Sequence, residues 1–83
     1  MKLRPEVRRF AERMERKLRK HDDEWGDGWR SMYNEDILCR FNQELKELKE
    51  VWHDEERRLD EAADVANFLM FLTEKRRHRP QYK

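Results

Sequence analysis

DEAADVANFLMFL, Asp60–Leu72, decides how this chain folds. Leu59, Ala62, Ala63, Ala66, Leu69 and Met70 recur at helical spacing and form one side of a helix. Val65, Phe68 and Leu72 carry the apolar surface further round. A helix apolar on nearly every side belongs at the centre of a bundle. Three polar residues interrupt it: Glu61, Asp64 and Asn67 stand three apart, in one stripe. Carboxylates in so apolar a setting are costly unless something neutralises them.

Outward from this stretch, the sequence predicts two further helices. Residues 34–51 place Ile37, Leu38, Phe41, Leu45, Leu48 and Trp52 on an apolar stripe, with Ser31 or Asn34 as candidate caps. Glu44 and Glu47 border that stripe. Asp54 is the expected N-cap of the third helix, which then runs to about Arg77. A connection of only a few residues makes these two helices antiparallel neighbours. Residues 4–20 form the expected first helix, with Pro5 in its first turn and Val7, Phe10, Met14 and Leu18 on one face. Between them, HDDEWGDGWRS (21–31) holds both glycines and reads as a loop. Trp25 and Trp29 in that loop either plug the end of the bundle or offer a stacking surface, Trp29 being the better placed. Pro80 ends helical potential, so residues 1–3 and 78–83 are expected to be flexible.

The expected architecture is therefore all-α: one domain over residues 1–83, an antiparallel bundle of about three helices. Its length of 83 residues and 36% hydrophobic content leave a thin core, so completion by a second copy or more, as a dimer or tetramer, is expected. Charged residues make up 47% of the chain, and the net charge of +1 hides a pattern. Residues 1–20 carry nine Lys/Arg against three acids, 21–74 six against sixteen, and 75–83 five against none. The basic ends invite a nucleic-acid reading, but the acidic middle would repel a duplex. The single Cys39 excludes a disulfide framework and a cysteine zinc cluster; its place on the apolar stripe predicts a small core residue. The longest apolar run is too short to span a bilayer. The charged N-terminus has no secretory pattern, and the expected location is the cytoplasm.

Glu44 lies nine residues before position 53 and Glu61 eight after it. On antiparallel helices, the pairs Glu44/Glu47 and Glu61/Asp64 therefore face each other at similar heights. Four carboxylates so placed either take up protons or share a cation. An all-oxygen set favours Mg²⁺ or Mn²⁺ over zinc. A di-iron site would need two Glu-x-x-His pairs, and only Glu50–His53 exists, at a helix end.

QELKE (43–47) followed by DEAAD (60–64) resembles the EExxE…EExxD signature of the MazG-like all-α nucleoside triphosphate pyrophosphohydrolases. DVAN (64–67) and the loop ending in Gly28–Trp29 extend the resemblance over roughly residues 10–75. Gln43 and Asp60 depart from it, each replacing the first Glu of its half. The resemblance implies a homo-oligomeric bundle that hydrolyses an NTP or dNTP to the monophosphate and pyrophosphate with Mg²⁺, or Mn²⁺. It implies metal ligands Glu44, Glu47, Glu61 and Asp64, with Glu47 the candidate proton acceptor. Asn67 would hold the sugar or a phosphate oxygen, Trp29 the base, and Lys75 or Arg76 the remaining phosphates. The competing reading is a non-catalytic helical homodimer that binds nucleic acid or regulates a partner. It leaves Asp64 and Asn67 without a role.

Overall fold

A computed structural model describes residues 1–24 and 26–77, of 76 and 77 the backbone alone. The described residues form three α-helices and a 3₁₀ turn, with no strand. Helix α1 spans Pro5–Lys20, the 3₁₀ turn Gly28–Ser31, α2 Asn34–Glu50 and α3 Glu55–Arg77. Pro5 stands in the first turn of α1, where its missing N–H costs nothing. Asp54 caps α3 as its position predicts: its Oδ1 accepts from the Arg57 N–H at 3.3 Å. The expected caps of α2 are not used. Tyr33 occupies the N-cap without a side-chain bond, and the Ser31 hydroxyl donates instead to the Gly28 carbonyl.

Helix α3 packs against α1, α2 and the 3₁₀ turn, which is the central position its apolar circumference requires. Ile37, Phe68 and Phe71 form the buried core, flanked by Leu18, Trp29, Met32, Phe41, Met70 and Leu72. Ala63 is fully buried on the same helix. Phe68 meets Phe71 edge to face at 5.3 Å, and Trp29 stacks on Phe71 at 4.5 Å with the planes 12° apart. Trp29 thus plugs one end of the core from the loop. Gly26 makes the return of that loop possible: its φ of 53° lies where other residues are strained. Trp25 and residues 78–83 lie outside the described residues.

Three apolar expectations are corrected. Cys39 is exposed, because it sits on the side of α2 turned from Phe68 and Phe71. Trp52 belongs to the turn after α2, not to its stripe, and is 58% exposed. Its ring lies 5.2 Å beneath the Arg58 guanidinium, and its carbonyl accepts from Arg58 Nη1 at 2.9 Å. On α1, Met14 and Leu18 are partly buried, but Val7 and Phe10 are exposed. The apolar face of α1 therefore continues beyond the part that α3 covers. No described helix is long and apolar enough to cross a membrane.

Candidate metal and ligand site

Three of the four expected carboxylates converge. Glu44 on α2 and Glu61 and Asp64 on α3 each offer an oxygen, all within 4.8 Å of one another. The i, i+3 spacing puts Glu61 and Asp64 on one side of α3, and α2 packs there. Glu47 is exposed one turn along from Glu44 and stands outside this group of three, although its charge is felt by Glu44 and Glu61.

The electrostatic consequence is a cluster reluctant to ionise. Burial first, then the charges of Glu47, Asp64 and Glu61, push Glu44 up to about 7, against the opposing charge of Arg40. The Arg40 Nη2 lies 3.9 Å from Glu44 Oε2. Burial, Asp64 and Glu47 raise Glu61 too, outweighing Lys17 and a hydrogen bond with Glu44. Burial raises Asp64 in spite of Lys17 beside it. Each shift has the same sign, as expected for like charges in a half-desolvated site.

A stability prediction follows from Glu44. The folded chain keeps its proton up to about pH 7, whereas the unfolded chain loses it near the ordinary 4.5. Between these limits the folded state binds more protons, so stability falls as pH rises. Melting with a chelator present should show a loss of about 2 kcal/mol from pH 5 to 8. Glu44→Gln should flatten most of that slope; an equal slope in the variant would assign it to other groups.

Beside the cluster lies an open cavity of about 440 Å³. Asp64 belongs to both. Leu18, Trp29, Met32, Phe68 and Phe71 give its lining apolar surface, and Lys17, His21, Glu24, Arg40, Asp64 and Asn67 give it polar groups, acidic ones included. Asn67 is 4% exposed. Its Nδ2 donates to the Met14 carbonyl of α1 at 3.2 Å, which fixes the amide orientation. Its Oδ1 is buried without a partner, as is Oε1 of Glu61. Buried acceptors without partners are rare, and two occur here in one site.

Cations reach the cavity from unforeseen places. Lys75 is half-buried on α3 and is not among the residues that line this cavity, and the side chain of Arg76 lies outside the described residues. Lys17, His21 and Arg40 line it instead. Lys17 Nζ is 2.9 Å from Asp60 Oδ2 and 3.3 Å from Asp64 Oδ2. Burial lowers the Lys17 ammonium, but bonding to Asp60 and the charge of Asp64 outweigh it and the net shift is upward. The one sequence signal was position: Lys17 is three residues after Met14, so it shares the edge of the stripe that faces α3.

The carboxylates could hold a hard divalent cation. The donors are all oxygen and come from two helices, and burial first, then neighbouring like charge, raises the proton affinity of each. No known protein family, curated protein or solved structure matches the chain.

Proposed function

We propose that this chain is a divalent-cation-dependent nucleoside triphosphate pyrophosphohydrolase of MazG-like type, converting an NTP or dNTP to the monophosphate and pyrophosphate. The observation that carries this reading is the juxtaposition of Glu44, Glu61 and Asp64 with a cavity whose lining includes aromatic rings together with Lys17 and Arg40. A bound Mg²⁺ or Mn²⁺ would offset phosphate charge and polarise an attacking water. Glu44, Glu61 and Asp64 would hold it.

The chain's own residues supply the rest. Trp29, Phe68 and Phe71 line the cavity but are engaged with one another and with Arg30 and Arg40, so they offer a base apolar ring edges rather than a free stacking face, and Lys17 and Arg40 offer positive charge to the phosphates. Asn67 Oδ1 is an acceptor, so it suits a sugar hydroxyl or a base amino group better than a phosphate oxygen. Glu47, exposed beside the cluster, would take the proton from the water.

The bundle is proposed to be antiparallel and completed by further copies. Val7 and Phe10 on α1, with Leu38 and Leu69, expose apolar surface that a second copy would cover. Light scattering should return at least twice the chain mass; a monomer at micromolar concentration would remove this part of the reading.

The test of function is product analysis on a panel of NTPs and dNTPs with Mg²⁺, Mn²⁺ or a chelator. Pyrophosphate released only with metal supports the proposal. Release of single phosphate would assign a different hydrolase, and no turnover of any member of the panel would favour the non-catalytic helical reading.

A further inference from the structure

Lys17 reaches the carboxylate cluster from α1, across the chain from α3. Its side chain is 13% exposed, and its ammonium is divided between two aspartates. The two differ in kind. Asp64 belongs to the converging group of three; Asp60 does not, and its side chain is 50% exposed. The ammonium therefore has one anchor inside the site and one outside it.

We propose that Lys17 is the built-in counter-ion of the cluster, and that a divalent cation binds by displacing its ammonium from Asp64 while Asp60 retains it. This rests on the metal reading of the site. An ion bonded to Asp64 Oδ2 at about 2 Å would lie close to an ammonium that is 3.3 Å from the same oxygen. Two cations on one carboxylate repel, so the bound ion would weaken the contact of Lys17 with Asp64. The bond to Asp60, 2.9 Å long, lets Lys17 leave Asp64 without leaving the protein. The displaced ammonium stays on the cavity wall, where it meets the anionic part of a phosphate-bearing ligand.

A second observation marks the place as a ligand site. Asn67, which lines the same cavity as Asp64, is more than nine-tenths buried and its Oδ1 has no partner. Lys17 thus makes the site dependent on cation concentration. With little divalent ion present, the ammonium is shared between Asp60 and Asp64; with enough, it stays on Asp60 and faces the ligand.

The experiment is Mn²⁺ titration of the metal-free full chain without nucleotide, following free Mn²⁺ by electron paramagnetic resonance. Wild type is compared with Lys17→Met and with Lys20→Met, which removes an equal charge from an exposed position of α1. Lys17→Met should bind Mn²⁺ about tenfold more tightly, as expected when an ion pair no longer has to be broken. Lys20→Met should change binding by less than roughly twofold, since exposed charges are screened. Mn²⁺ affinity alike in Lys17→Met and wild type would overturn the exchange and leave the metal site standing. No Mn²⁺ binding by either would overturn both. In wild type, the ¹⁵N signal of the Lys17 ammonium should shift as Mg²⁺ is added. An unmoved Lys17 signal, with the Asp64 carboxylate signal shifted, would overturn the exchange whatever the variant does.

Discussion

Glu44→Gln and Asp64→Asn should each lower metal-dependent pyrophosphate release by about a thousandfold, the scale of several kcal/mol of lost charge stabilisation. Both side chains belong to the group of three oxygens within 4.8 Å. Each substitution removes a negative ligand and leaves shape nearly unchanged. Folding should survive both. Glu44→Gln relieves repulsion from Glu47, Asp64 and Glu61, so the metal-free variant should melt higher than wild type above pH 7. Asp64→Asn gives up one partner of Lys17 and should cost about 1 kcal/mol, with Asp60 still holding the ammonium. Glu50→Gln, exposed at the end of α2, serves as the control and should keep full activity. Wild-type turnover in both site variants would sink the assignment.

Phe71→Ala is expected to have the largest effect on stability. Phe71 is 5% exposed, stacks on Trp29 and meets Phe68 edge to face. Truncating such a ring costs about 3–5 kcal/mol through lost transfer and the cavity left behind. A chain of this size holds only about 4–12 kcal/mol in total. Melting should therefore fall by roughly 20 °C or lose its cooperative transition. Trp29 would lose its platform, and the cavity part of its apolar lining. Tyr33→Ala, at a ring that is 76% exposed and outside the core, should cost less than about 1 kcal/mol. Equal losses in the two variants would mean that the core is not centred on Phe71.

The helices were legible because their signals are local. Pro5, the loop with both glycines and Asp54 mark the boundaries, and the apolar spacing between them repeats at three and four. The convergence of Glu44, Glu61 and Asp64 was legible for a related reason. Two short intervals in the chain and one short turn are enough to bring them level. Periodicity, however, names a face without saying what covers it. Val7, Phe10 and Cys39 all lie on helical stripes, and all are exposed among the described residues. Trp52 fell in the turn for want of a glycine or proline to mark where α2 stops. Lys17 shows the other limit. Among twenty Lys and Arg residues, the partner of Asp60 lies 43 positions away, and only tertiary packing selects it. Lys75, expected at the phosphates, does not line the cavity.

The central claim is that Glu44, Glu61 and Asp64 hold one divalent cation beside the ligand cavity. It is tested most directly by crystals grown with Mn²⁺ and an NTP analogue carrying a methylene bridge between the α- and β-phosphates, measured for anomalous scattering. A manganese peak bonded to oxygens of all three carboxylates, with the triphosphate of the analogue against it, is the expected result. Analogue bound in the cavity with no manganese at these carboxylates, or manganese bound only elsewhere, would contradict it.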